Sequence, residues 1–125
     1  MATNHHTTGV LGPLEADVMS IVWAADRPVT VRDVLDAVNY GRTPELAYTT
    51  VMTVLARLAE KQILTRERHG RGYRYQAAVG TPAGIAVREV VRDFGEVAVA
   101  GFVDEARADP KLLRRLRALL DEENQ

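Results

Sequence analysis

Thr49, Thr50 and Thr53 sit close together in this chain, with Tyr48 just before them and Arg57 and Lys61 just after. Short hydroxyl side chains let a backbone approach a surface closely, and they bond phosphate oxygens or base edges. Arginine and lysine supply charge for the phosphate backbone. The chemistry these residues suit is recognition of duplex DNA, not bond making. The parts for catalysis are missing. Ser20 is the only serine, it lies among apolar residues, and no histidine is placed to serve as its base. His5 and His6 are adjacent and so not spaced as metal ligands, and His69 falls in a turn. No metal site, no cofactor and no enzymatic activity are therefore expected. With no cysteine at all, disulfides, thiolate metal sites and cysteine nucleophiles are excluded.

The element that must present these residues runs Ala47-Tyr-Thr-Thr-Val-Met-Thr-Val-Leu-Ala-Arg-Leu-Ala-Glu-Lys61. Ala47, Val51, Val54, Leu55 and Leu58 recur at helical spacing, so this stripe is expected inside and the hydroxyl and basic face outside. Two readings stay open at Tyr48, which either touches DNA or anchors the helix start in the core. Arg57 likewise holds a phosphate or pairs with Glu60.

The net charge of −1 conceals a strong asymmetry. Residues 1–39 carry two arginines against five acids, a balance of −3, whereas residues 40–75 carry seven cations against three acids, a balance of +4. Residues 76–95 balance to zero, and residues 96–125 hold five cations against seven acids. Positive charge is concentrated around the hydroxyl-bearing helix, and its placement matters more than the total.

Around that helix the chain reads as a compact arrangement. With 125 residues, 46% hydrophobic and 26% charged, one folded domain, alone or with an appendage, is expected. Residues 1–10 are polar and aperiodic and are expected to form a disordered tail. A first helix is expected over about 14–25, with Leu14, Val18, Ile21 and Val22 on one stripe. Thr30 then caps a second helix to about residue 39, with Asp33 as capping-box partner and Val31, Val34, Leu35 and Val38 inside. The third helix spans about 46–61. Two short strands, 63–68 and 73–77, are joined by His69-Gly-Arg-Gly72 as a tight hairpin with Arg68 and Arg71 near its tip. Gly70-Arg-Gly72 joins strand to strand, so it is no phosphate-cradling loop at a helix N-terminus. The fold class is mainly α with a small β-hairpin: a winged helix-turn-helix domain over 11–79 and a helical dimerisation segment over 80–125. Candidate DNA contacts are Arg42, Tyr48, Thr49, Thr50, Thr53, Arg57, Lys61, Arg68 and Arg71.

The last 45 or so residues read as one long helix over about 82–108 and a final helix over about 110–122, started by Asp109-Pro110. Leu112, Leu113, Leu116, Leu119 and Leu120 form a leucine stripe on the final helix. Two such helices cannot bury both stripes on each other alone, so a second copy of the chain is expected to cover them. Val90, Val91, Phe94 and Phe102 join these leucines as the candidate dimer interface. Dimerisation would set two third helices on successive turns of a palindromic operator.

Three segments carry a family resemblance: Leu14-Glu through Val22-Trp23, Thr30-Val-Arg-Asp-Val34, and the Tyr48-Thr-Thr-Val…Arg57-Leu58 run. With Arg71-Gly-Tyr-Arg-Tyr75 as the wing, they resemble the penicillinase-repressor family (BlaI/MecI/CopY), strongly over about 11–77. The resemblance implies a homodimeric transcriptional repressor on a dyad operator, released by a signal from outside the repressor. In that family a membrane-bound sensor triggers proteolysis in the C-terminal domain, or copper binds there through cysteines. This chain has no cysteines. The cleaved members are cut at an Asn-Phe pair, and Gly101-Phe102 stands at the matching place, with phenylalanine retained and asparagine replaced. A protease linked to a membrane sensor is thus the partner the resemblance implies.

Two other readings stand beside the repressor. One is a winged-helix regulator with a small-molecule effector in the C-terminal interface; the other is a winged-helix protein-interaction module. Residues 1–9 lack the charged start and apolar core of a signal peptide, and no window approaches the ~18 apolar residues of a membrane span. A cytoplasmic protein without membrane insertion is expected.

Overall fold

The computed structural model describes residues 11–124, so the expected N-terminal tail over 1–10, with His5 and His6, lies outside the described residues. Helix α1 (Pro13–Ala25) begins with proline at its first position, where the missing N–H costs nothing, and the Glu15 carboxylate accepts from the Gly12 N–H at 3.1 Å. It ends at Asp26 in the left-handed region (φ 51°). Ala16, Val18, Met19 and Val22 face the core, with Leu14, Ile21 and Trp23 partly buried against it.

A two-residue strand, β1 (Val29–Thr30), leads directly into α2 (Val31–Asn39). The expected capping box is formed in full. Thr30 Oγ1 accepts from the Asp33 N–H at 3.1 Å, and the Asp33 carboxylate accepts from the Thr30 N–H at 3.0 Å. Val31, Val34, Leu35 and Val38 are all buried, as their spacing requires.

Helix α3 (Tyr48–Glu60) buries Val51, Val54, Leu55 and Leu58. Ala47, expected in that stripe, is instead its exposed N-cap, with an extended backbone. The stripe begins one turn later because residues before the first turn do not follow the helical period. The helix closes by a Schellman arrangement. The Ile63 N–H donates to the Leu58 carbonyl at 3.0 Å, the Gln62 N–H donates to the Ala59 carbonyl at 3.0 Å, and Gln62 adopts φ 64°. Leu58 and Ile63, the apolar pair that accompanies this motif, are both fully buried.

Strands β2 (Leu64–His69) and β3 (Gly72–Ala77) form the hairpin, paired antiparallel from Leu64↔Ala77 to His69↔Gly72. Gly70 (φ 61°) opens the two-residue turn, the glycine-first arrangement of a type II′ hairpin. The sheet has a third strand that the sequence reading missed. β1 pairs with β3 through Val29↔Tyr75 and Thr30↔Arg74, giving the order β1-β3-β2. Two residues are too few to show a period of two, so β1 has no sequence signature of its own. Tyr75, on the central strand, is 1% exposed.

The described residues divide into two compact units, with the break between Ala86 and Val87. It falls inside α4 (Pro82–Phe94) because Ile85, fully buried, belongs to the first unit's core. Thr81 Oγ1 accepts from the Gly84 N–H at 3.0 Å in the first turn of α4, and Trp23 Nε1 donates to the Val79 carbonyl at 2.8 Å, tying the segment after the hairpin to α1.

In the second unit the expected single helix over 82–108 is two helices, α4 and α5 (Glu96–Ala108). They part at Gly95, whose φ 61° and ψ −134° are open to glycine and strained for any other residue. Asp109 separates α5 from α6 (Pro110–Glu123), and its carboxylate caps α6 by accepting from the Lys111 N–H at 2.9 Å. Helices α5 and α6 are in contact, yet α6 has no buried residue and α5 buries only Ala98 and Ala106.

Candidate nucleic-acid interface

The core stripe of α3 fixes how the helix is rotated. At 100° per residue, burying Val51, Val54, Leu55 and Leu58 turns Thr49 and Thr53 to the far side. Thr49, Thr50 and Thr53 are all exposed. Tyr48 is 44% exposed and is not a core anchor. Its ring lies 5.5 Å from the Arg32 guanidinium at the start of α2, so the two helices share one surface there. The sequence reading missed Arg32, because only the packing of α2 against α3 brings it beside Tyr48.

The basic residues around α3 fall into two groups. Arg57 and Arg71 are exposed and make no ion pair among the described residues; the alternative pairing of Arg57 with Glu60 is not formed. Arg42 and Lys61 are engaged inside the unit. The Arg42 guanidinium lies 3.1 Å from Asp17 and also donates to the Val38 carbonyl at 3.2 Å, while Lys61 Nζ lies 3.5 Å from the Glu15 carboxylate. Arg42 therefore braces the turn before α3 in addition to adding charge.

The hairpin carries its own basic cluster. Arg66, Arg68, Tyr73 and Tyr75 alternate onto one face, since Arg66 opposes Tyr75 and Arg68 opposes Tyr73. Arg66 sits 4.3 Å and Arg68 5.5 Å from the centre of the Tyr73 ring. A hydrogen bond to the Tyr75 hydroxyl is the main reason Arg66 is held above its ordinary pKa. On the other face Arg74 pairs with Glu67 at 3.0 Å. The period-two alternation of the hairpin was legible in advance, but the stacking of both guanidiniums on Tyr73 was not.

In the second unit, Val90, Val91, Phe94, Phe102, Leu112, Leu119 and Leu120 are exposed, and Leu113 and Leu116 are half-buried. Gly101 and Phe102 lie within the continuous helix α5. Among the described residues no helix is long and apolar enough to cross a membrane.

Three helices and a basic hairpin, with the hydroxyls of the third helix exposed, define a winged helix-turn-helix fold. The model of the penicillinase repressor family matches residues 11–122, and the chain belongs to that family. It is 40% identical over 119 residues to proteins named transcriptional regulator BlaI from two strains of Mycobacterium tuberculosis, covering 89% of this chain and 85% of each relative. A solved structure of a variant of ZitR from Lactococcus lactis aligns with TM-score 0.38 at 13% identity, over 87% of this chain and 73% of that one. The family and its relatives regulate transcription and are not enzymes, and this chain is a DNA-binding repressor of the penicillinase-repressor type.

Proposed function

We propose that the protein is a homodimer that occupies a palindromic operator, with α3 in the major groove of each half-site. Thr49, Thr50 and Thr53 face base edges, with Tyr48 beside them. Arg57, Lys61 and the hairpin residues Arg68 and Arg71 hold phosphates, and Arg42 sets the turn from which α3 springs. The observation that carries this reading is the exposed threonine face of α3 inside the only segment of net positive charge. The exposed aliphatic and aromatic residues of the second unit support self-association, because Phe94, Val97, Val99, Leu112 and Leu120 each leave half or more of their surface open. A symmetric dimer would cover that surface and duplicate α3 about a dyad.

Cleavage at Gly101–Phe102 would require α5 to open, since proteases take extended backbone, and glycine lowers helix stability there by ~1 kcal/mol relative to alanine. That supports release by proteolysis only after local unfolding.

The test is a salt titration of DNA binding. Each neutralised phosphate adds ~0.9 to the log–log slope, so removing Arg57 and Arg71 from both protomers should flatten it by about 3.6. A double variant, Arg57→Ala with Arg71→Ala, that keeps the parent's affinity and slope overturns the assignment.

A further inference from the structure

Met52 is 41% exposed in the middle of α3, although every valine and leucine of this helix is buried. The rotation fixed by the core stripe places it about 100° from the stripe's centre, beside Thr49 and Thr53. Thr49 lies one turn before it and Ala56 one turn after, on neighbouring parts of the same surface. These four residues carry no charge, whereas Arg57 and the hairpin arginines follow them in the chain. An uncharged patch rich in methyl groups is poorly matched to phosphates or to a guanine edge, which call for cations. It matches the one apolar group in the major groove, the C5-methyl of thymine. Methionine suits this role because its unbranched thioether adapts to a surface that is not its own core.

We infer that Met52 is a specificity-determining residue that packs on a thymine methyl group within each half-site. The inference rests on the reading of α3 as the major-groove helix. It adds apolar readout to the hydroxyl contacts assigned to the threonines.

The experiment uses the full chain and a duplex obtained by binding-site selection with it. Each thymine is replaced in turn by deoxyuridine, which removes only the methyl group, and the affinity ratio is measured for the parent, Met52→Ala and Met52→Gln. Exposure of Met52 leaves the core untouched in both variants. In the parent, one thymine per half-site should show a loss of about fourfold, equivalent to one buried methylene. At that thymine both variants should show a ratio near one. A parent insensitive at every thymine, or variants that keep the parent's sensitivity, would overturn the inference while leaving DNA binding intact. Selection that enriches no duplex would overturn the DNA-binding reading, and this inference with it.

Discussion

Arg42 and Asp17 meet at 3.1 Å, joining the turn between α2 and α3 to the flank of α1. The same guanidinium donates to the Val38 carbonyl, and Asn39 closes the turn from the other side. Its amide donates to the Leu46 carbonyl at 3.1 Å, and its carbonyl accepts from the Leu46 N–H at 2.8 Å. The position of α3 relative to the rest of the first unit thus depends on polar bonds as well as on core packing.

Arg42→Ala should therefore act through geometry. A partly exposed ion pair and one hydrogen bond from the charged guanidinium to a carbonyl together stabilise by about 1–3 kcal/mol. DNA affinity should fall with the log–log salt slope unchanged, in contrast to Arg71→Ala, which should lower both. Parallel titrations at several salt concentrations separate the two variants. A slope that drops by ~0.9 per protomer for Arg42→Ala would make it a phosphate contact instead.

The cap of α2 predicts a particular pH response. The Asp33 carboxyl is held below the ordinary carboxylate range, chiefly by the hydrogen bond from the Thr30 N–H, with burial opposing and the Thr30 hydroxyl and Arg27 assisting. A lowered pKa in the fold means that the unfolded chain binds the proton more tightly. The stabilisation is then complete above the unfolded value, near 3.9, and is lost as pH falls through the folded value. The stability gap between the parent and Asp33→Asn should be widest at neutral pH and should close below about pH 4. Thr30→Ala should cost about 1 kcal/mol at neutral pH. Thermal melts from pH 7 to pH 3 check both.

Tyr73 holds two guanidiniums of the hairpin, so Tyr73→Leu should loosen Arg66 and Arg68 without unfolding the unit. An exposed cation–π contact contributes about 0.5–1 kcal/mol, so the melting temperature should move little. DNA affinity should fall severalfold, and Tyr73→Phe, which keeps the ring, should restore it. A phenylalanine variant as weak as the leucine one would assign the effect to the hydroxyl.

Leu120→Glu places a charge on the exposed face of α6, where leucine is 56% exposed. If that face meets a second copy, sedimentation should show a shift from dimer to monomer at micromolar concentration, with a steep loss of operator affinity and no loss of helix content. A parent chain that sediments as a monomer would remove the basis of the expectation.

Leu55→Ala should unfold a large part of the first unit, since a fully buried leucine removed from a close-packed core costs about 2–5 kcal/mol. The variant should lose DNA binding in proportion to its loss of folded protein, which a denaturant titration alongside the binding assay can establish.

Much of this was legible in the residues themselves because it depends on local periodicity and local hydrogen bonding. The burial of Val31, Val34, Leu35 and Val38, the Thr30–Asp33 box and the hairpin turn at Gly70 each involve residues a few positions apart. The exposed threonines of α3 follow from the same logic, as the complement of its apolar stripe. Relations between distant segments left no such trace. Strand β1 exists only because β3 offers it an edge, and Tyr48 leaves the core to lie under Arg32. The long helix expected over 82–108 failed at Gly95, where the composition still favoured a helix but the backbone took a conformation reserved for glycine. The sequence alone determined the class of protein and which face of α3 is left exposed, since both are written in spacing and charge. Only the tertiary structure decided which cations are already paired within the first unit. Whether Arg42 or Lys61 meets Asp17 or Glu15 depends on helices that are remote in sequence being packed within a few ångströms of one another.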